Sequence, residues 1–131
     1  MPNKTVTVNV DFSIEPPVWT FSGDVDSSNS SIIDIDPTSD ETITWNLTTS
    51  NLTGSTLMFA TDSPIDFSGG TENQWASGTA PTITRVSDTQ LQTTDNNLAT
   101  HNGVLVHYYK INADLNGVIL TKDPEVDEIG S

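Results

Sequence analysis

Two pairs of aspartates have a spacing that could bind a metal ion. Asp24 with Asp26, and Asp34 with Asp36, are each separated by one residue, which puts both carboxylates on the same side of an extended chain. Hard oxygen ligands of this kind suit calcium. The favoured alternative is that the pairs are solvated strand faces of a very acidic chain, because the full D-x-[DN]-x-[DN]-G calcium loop is absent. We therefore expect no cofactor, with calcium at Asp24, Asp26, Asp34 and Asp36 as the metal site to test.

The two histidines, His101 and His107, are the other side chains that could ligate a metal ion. Together with Asp95 they could bind zinc or another divalent ion. The sequence contains neither an H-x-H nor an HExxH spacing, however, which favours a structural role. We expect a partly buried, hydrogen-bonded His107 and a solvent-exposed His101.

The three tryptophans divide between the core and recognition. Trp19 and Trp45 occur in alternating strand patterns, which predicts that both lie in the core. Trp75 occurs in the polar stretch TENQWASGT, where an exposed indole could stack on a sugar ring or anchor a protein partner. The favoured alternative is an indole that folds over the end of the domain. Trp75 is still the candidate ligand-binding residue, because loops on a rigid scaffold usually carry recognition.

Sequence signals for catalysis are weak. The chain contains no cysteine, which excludes thiolate catalysis, and no G-x-S-x-G elbow that would present a serine nucleophile. It has no glycine-rich phosphate-binding loop, and its four basic residues offer little to clamp an anionic substrate. Carboxylates for glycoside hydrolysis are plentiful, but no pair stands out. We expect that the protein is not an enzyme.

Length and charge restrict the partners. With 131 residues the chain has the length of one domain, and we treat residues 1–131 as a single domain. Its 18 acidic and 4 basic residues give a formal charge of −14, which would repel nucleic acid and anionic membranes. The N-terminal region contains no apolar run of signal-peptide or membrane-span length. We expect a cytoplasmic protein, or a secreted one if a leader was removed.

Alternation of polar and apolar residues is the dominant pattern, and it predicts strands. Residues 4–14 alternate throughout, and TITWNL places Ile43, Trp45 and Leu47 on one face. Two successive prolines after the first segment predict a corner. No window has the apolar spacing of a helix. We predict an all-β fold, a two-sheet antiparallel sandwich of about seven to nine strands.

The stretch from residue 104 to residue 111 is apolar in both of its alternating sets, which predicts a central strand covered on both sides. We expect Trp45 to be buried between the sheets near Val106 and Tyr108, or near the residues that share their face of the strand. Turns are predicted at residues 95–97 and 112–117, which are rich in Asp, Asn and Gly.

The features follow one another as an N-terminal alternating strand, a Pro-Trp-Phe corner, an Ile-x-Trp-x-Leu strand, an Asp-Asn turn, a Tyr-Tyr strand and a terminal Asp-Pro. This order resembles small bacterial β-sandwich proteins with immunoglobulin-like or cupredoxin-like folds, which often lack an assigned function. The resemblance implies a Greek-key sandwich and transfers no site residues. A blue-copper centre is excluded, because it requires a cysteine thiolate.

These patterns predict a non-enzymatic interaction or structural module that binds a protein partner, or itself, through loops or an edge strand. The alternative is a carbohydrate- or calcium-binding domain that uses Trp75 and the acidic loops. A hydrolase ranks third, because it would need a pocket in which carboxylates converge.

Overall fold

The computed structural model describes residues 3–67 and 75–130, and its regular secondary structure is all β. Within those ranges no helix is long and apolar enough to cross a membrane. The prediction of an all-β fold is confirmed, but seven to nine strands is too low a number, because long strands are interrupted and one strand has only two residues. The twelve described strands are β1 (Asn3–Asp11), β2 (Val18–Gly23), β3 (Ile32–Ile35), β4 (Ser39–Ser50), β5 (Leu57–Phe59), β6 (Ile65–Asp66), β7 (Thr84–Ser87), β8 (Gln90–Asn97), β9 (Val104–Tyr108), β10 (Lys110–Leu115), β11 (Val118–Lys122) and β12 (Glu125–Ile129).

The first sheet has five strands in the order β2-β1-β4-β8-β7. β1 lies inside the sheet, because it pairs antiparallel with β2 and parallel with β4. The prediction of purely antiparallel sheets is therefore wrong, since β3 and β12 also pair in parallel. The predicted interruption at Pro16 and Pro17 is confirmed, and the chain returns to the same sheet after it. β7 ends the sheet with a register shift between Arg85 and Ser87.

The remaining strands are built on one long hairpin. β10 and β11 pair around a two-residue turn at Asn116 and Gly117, both of which have positive φ, so the predicted turn at residues 112–117 is shorter than expected. Beyond an interruption, β9 and β12 continue the two arms in the same register, and the Tyr109 N–H donates to Pro124 O at 3.1 Å across the gap. β3 pairs with β12, while β5 and β6 pair with β10. The three-stranded and four-stranded sheets therefore share this hairpin.

The core lies between the first sheet and the long hairpin, which is consistent with a β-sandwich. Trp45 in β4 is fully buried, and its Nε1–H donates to Tyr109 Oη at 3.1 Å. The Tyr109 ring also packs on Phe67, with ring centroids 5.6 Å apart. The prediction that Trp45 is a core residue is confirmed, whereas Trp19 is only partly buried at the edge of this core.

The prediction that β9 is covered on both sides is wrong. Val104 and Tyr108 are 48% and 51% exposed, whereas His107 and Tyr109 are buried. Because side chains alternate between the two faces of a strand, one apolar set faces outward even though both sets are apolar. The partner of Trp45 is therefore Tyr109 and not Tyr108.

The predicted turn at residues 95–97 is also wrong, because β8 continues to Asn97. Asp95 and Asn97 point inward and are buried. The connection to β9 instead occupies residues 98–103, where Gly103 adopts a φ of 72°. This extension of β8 carries Asp95 into the interior of the protein.

Candidate functional site

Four ionisable side chains from four strands meet between the sheets. Glu41 belongs to β4, Asp95 to β8, His107 to β9 and Glu128 to β12. Glu41 and Asp95 are direct partners in the β4–β8 ladder. No side chain of the four is more than 1% exposed. We call these four residues the inner cluster.

Glu128 is the centre of the inner cluster. Its Oε1 accepts a hydrogen bond from the Ala76 N–H at 2.8 Å and lies 3.2 Å from His107 Nε2. The carboxyl groups of Asp95 and Glu128 interact closely enough that a hydrogen bond between them contributes to the pKa shifts of both. Asp95 Oδ2 and Glu128 Oε2 are buried oxygens that no N–H or hydroxyl group of the described residues reaches. One proton shared between the two carboxyls satisfies this pair.

The pKa values of these two carboxyls move apart. Burial raises the pKa of Asp95 to about 9, and the hydrogen bond to Glu128 and the nearby carboxylates of β4 act in the same direction. Burial also acts to raise the pKa of Glu128, but hydrogen bonds from His107, Asp95 and the Ala76 N–H outweigh it and lower that pKa. Asp95 therefore carries the shared proton at neutral pH.

Glu41 draws its contacts from outside the inner cluster. Its Oε2 accepts a hydrogen bond from the Asp36 N–H at 2.6 Å. Lys4 places its Nζ 3.6 Å from Oε1, at ion-pair distance. A donor and a positive charge thus compensate a carboxylate that has no exposure to water.

Trp75 lies against the inner cluster rather than in solvent. It is 5% exposed, stacks on the His107 imidazole with ring centroids 3.5 Å apart, and meets the edge of Phe67 at 5.0 Å. The alternative in which Trp75 is an exposed stacking platform is wrong, and the indole that folds over the domain is confirmed. Residues 71–74 of the same loop lie outside the described residues. Ligand binding by Trp75 would require the indole to leave this position.

The histidines have different environments from each other. His107 is buried and hydrogen-bonded, and because Nε2 faces an acceptor on Glu128, we assign a hydrogen to Nε2. His101 was expected to be exposed but is partly buried, with its Nε2 2.8 Å from Asn97 Oδ1. The Asn97 amide also donates to two backbone carbonyl oxygens at 2.9 Å each, so it anchors the end of β8.

Of the three residues considered for zinc, only Asp95 and His107 belong to the inner cluster.

The four aspartates predicted to bind calcium are only partly brought together. Asp26 and Asp34 are hydrogen-bonded through their side chains. Asp24 instead accepts a hydrogen bond from the Thr5 N–H at 2.8 Å, and Asp36 contributes its backbone N–H to the interior. Across residues 3–67 and 75–130, no group of three or more His, Asp or Glu side chains is arranged to hold a metal ion. Calcium binding at these positions stays a prediction.

Asp26 and Asp34 belong to a second group of carboxylates, on the outer face of β3 and β12. Asp34 is paired directly with Asp127, which is hydrogen-bonded to Glu125. Burial and, after it, the hydrogen bond to Asp26 raise the pKa of Asp34 to about 6. Burial and, after it, the hydrogen bond to Glu125 raise the pKa of Asp127 to about 7. The pKa of Asp26 is lowered by its hydrogen bond with Asp34. We call Asp26, Asp34, Glu125 and Asp127 the outer cluster.

The inner cluster was not predicted as a unit, although the alternation of residues along β4 and β12 indicates that Glu41 and Glu128 face inward. Glu41 is in phase with Ile43 and Trp45, and Glu128 is in phase with Val126. A charged residue in phase with a buried run must itself face the core unless the strand ends. This inward orientation is hard to predict, because a carboxylate is rarely fully buried without a partner and the partners come from other strands.

No protein-family model matches this sequence, and a search of curated proteins finds no significant match. Function must therefore be argued from the geometry of the chain itself.

Proposed function

We propose that this protein is a non-enzymatic interaction module that binds an extended segment of a partner protein along the edge strand β11. The observation that carries the proposal is the exposure of apolar side chains on this edge. Val118 and Ile119 are 61% and 52% exposed, and β11 is paired only with β10 in the described part of the chain. An exposed apolar edge strand is the surface to which a partner strand can be added.

Three other edge strands, β2, β7 and β3, differ from β11 in features that discourage strand addition. β2 follows two prolines, β7 carries the register shift between Arg85 and Ser87, and β3 presents the charged Asp34. Prolines, irregular register and charge are common ways to protect a sheet edge. By contrast, β11 reads VILTK, contains no proline and pairs with β10 in regular register.

The hairpin geometry indicates which backbone groups of β11 are available. A two-residue turn is flanked by a hydrogen-bonded pair, here Leu115 with Val118. Hydrogen-bonded pairs recur at every second residue in an antiparallel ladder. Ile119 and Thr121 therefore direct their backbone N–H and C=O groups toward the outer edge.

The surroundings of β11 favour a basic partner over a second copy of the chain. A cleft of about 270 Å³ lies beside Ile119 and is also lined by Asp62 and Asp114. These carboxylates suit a Lys or Arg side chain of an added strand. Self-association would bring together two chains of formal charge −14, which is unfavourable at ordinary ionic strength.

The inner cluster supports a non-enzymatic role. It holds a protonated carboxyl, a carboxylate and a histidine, which are groups used in acid–base catalysis. A catalytic group must reach the proton it transfers, but no side chain of the inner cluster is more than 1% exposed. The cluster is placed to hold the fold together rather than to meet a substrate.

The alternative function, a carbohydrate- or calcium-binding domain, has weaker support. The buried position of Trp75 removes the exposed aromatic surface on which a sugar would stack. Of the contacts expected for a calcium site, the structure supports only the one between Asp26 and Asp34.

We also infer a Greek-key topology of the immunoglobulin-like or cupredoxin-like kind. The support is the path of the chain, which leaves the first sheet after β2, returns in β4, leaves again for β5 and returns in β7. Repeated crossings between sheets are typical of Greek-key sandwiches and not of simple meanders.

The proposed function is tested by selecting peptides from a random display library and locating their contacts by NMR. We expect selected peptides to be basic and extended, and to shift the amide signals of Ile119 and Thr121. Ile119→Pro should abolish binding without unfolding the protein, because it removes an N–H that points away from β10. Ile119→Thr, which keeps this N–H, should retain part of the binding. Peptides that bind elsewhere, equal binding by Ile119→Pro, or a stable dimer by analytical ultracentrifugation would contradict the proposal.

A further inference from the structure

Three contacts attach Trp75 and Ala76 to the sandwich: the indole packs on Phe67, and the other two contacts involve the inner cluster. The Trp75 indole stacks on His107, with an angle of 7° between the ring planes. The Ala76 N–H donates to Glu128 Oε1 at 2.8 Å. Neither residue belongs to a strand, so neither is held by a ladder of backbone hydrogen bonds. The attachment of this segment therefore depends on the state of Glu128 and His107.

The state of Glu128 depends in turn on a proton. While Asp95 is protonated, it donates to Glu128, whose Oε1 remains oriented toward Ala76 and His107. When Asp95 loses the proton, two carboxylates face each other in a site that water does not reach. Two like charges in such a site cannot both persist without rearrangement or the entry of water.

The groups that face Asp95 do not relieve this repulsion. β12 contributes Glu128, and β4 contributes Glu41 and Asp40, all of which are acidic. β9 contributes His107, which already contacts Glu128. The positive charge of Lys4 on β1 lies beside Glu41.

We propose that the segment of Trp75 and Ala76 is latched to the sandwich by the proton that Asp95 and Glu128 share, and that loss of this proton releases the segment and exposes the indole. Water can reach the paired carboxylates by displacing Trp75 and Ala76, which breaks one hydrogen bond, the stack on His107 and the edge contact with Phe67. Separating β8 from β4 or β12 from β9 would instead break continuous ladders. The release is therefore local.

The direction of the pH dependence follows from the sign of the shift. The pKa of Asp95 is raised, so the latched state binds the proton more tightly than the released state, in which the carboxyl meets water. The segment stays attached at neutral pH and is released as pH rises through about 9. Because one proton is involved, the ratio of released to latched molecules rises about tenfold per pH unit until the group has titrated.

The experiment follows Trp75 between pH 6 and pH 10.5 by acrylamide quenching of tryptophan fluorescence, with Trp75→Phe as the blank for the other two tryptophans. We expect quenching of Trp75 to increase with pH while the far-UV circular dichroism stays constant. Asp95→Asn should abolish this increase, because the amide donates an N–H to Glu128 but does not titrate in this range. Asp88→Asn makes the same chemical change at a residue exposed on the surface and should keep the wild-type profile.

Three results would overturn the proposal. They are an indole that stays protected to pH 10.5, an Asp95→Asn profile identical to that of the wild type, and strand structure that is lost at the same midpoint as Trp75 protection. Amide hydrogen exchange of the wild-type protein keeps the test decisive if Asp95→Asn does not fold. After correction for the intrinsic pH effect, protection of the Ala76 N–H should fall about tenfold per pH unit up to about pH 9 and should level off above it. Unchanged protection would overturn the latch.

Discussion

Asp127 and Glu128 are neighbours on β12, yet they belong to two very different groups of carboxylates. Glu128 faces inward, where it meets Asp95, His107 and the Ala76 N–H in a site closed to water. Asp127 faces outward beside Asp34, where water has access to the cluster. One residue step along a strand therefore decides whether a carboxylate is enclosed in the core or remains within reach of water.

The largest expected contrast is between alanine substitutions at these two neighbours. Glu128→Ala leaves the Ala76 N–H, His107 Nε2 and Asp95 without their acceptor and should lower the free energy of unfolding by roughly 3–5 kcal/mol. Asp127→Ala removes a half-buried carboxyl that is only partly ionised at pH 7 and is repelled by Glu125 and Asp34 when it is ionised, so it should change the free energy of unfolding by less than about 1 kcal/mol. Urea denaturation of both variants at pH 7 measures the contrast. Equal losses would mean that the inner cluster does not anchor the fold.

The second contrast is between Trp75, which covers the inner cluster, and Tyr108, which lies on the outer face of β9. Trp75→Ala opens the end of the inner cluster and should cost about 3 kcal/mol, because a buried indole and its contacts are lost. Tyr108→Ala removes a half-exposed ring from the outer face and should cost less than about 1 kcal/mol. Thermal and urea unfolding of the pair provide the measurement. A negligible loss for Trp75→Ala would restore Trp75 as a free contact residue.

The third contrast is in pH dependence. Asp34, Asp127 and Asp95 all have raised pKa values, so their contributions to stability are complete below the unfolded value of 3.8 and are lost as pH rises through about 6, 7 and 9 respectively. Stability should therefore decrease from pH 5 to pH 8. Between pH 7 and pH 8 the Asp95 proton alone gives a slope of about 1.4 kcal/mol per pH unit.

Variants assign this slope to the two clusters. Asp95→Asn should reduce the slope at every pH in this range and flatten the curve above pH 7, whereas Asp34→Asn should reduce the slope only below about pH 6. Urea denaturation at half-unit intervals of pH is sufficient. A stability that increases with pH across this range would show that neither cluster holds extra protons in the folded state.

The smallest expected effect is that of calcium on the outer cluster. Because Asp24 and Asp36 make other contacts, we expect about 5 mM calcium to raise the melting temperature by less than about 1 °C. A rise that grows with calcium concentration, is lost in Asp34→Asn and persists in Asp88→Asn would support the calcium-binding alternative.

Much of the fold could be predicted because period-two alternation is a local property. The strand around TITWNL, the burial of Trp45 and the interruption at the two prolines follow from residue order alone. The incorrect predictions concern strands whose residue types do not match the environment of their side chains in the fold. β9 is apolar on both faces but is covered on one, and β8 continues through Asp95 and Asn97, which resemble turn residues.

The candidate site could not be predicted in the same way, since its members are far apart in the chain. Glu128 bonds to His107 and Ala76, which are 21 and 52 residues away. A buried carboxylate is tolerated only when such partners are in place, and the sequence does not state which strands will bring them.

Residue order and composition are enough to establish that the chain forms strands, that their apolar faces pack together, and that the surface is strongly acidic, because these properties depend on near neighbours and on composition. The tertiary structure was needed to establish which of the many carboxylates are closed to water and which proton they share. It also decided that Trp75 covers that site, and that β11 is left at an edge. The physical reason is that burial and charge interaction depend on distances through space, and those distances are set by strand pairing and sheet packing.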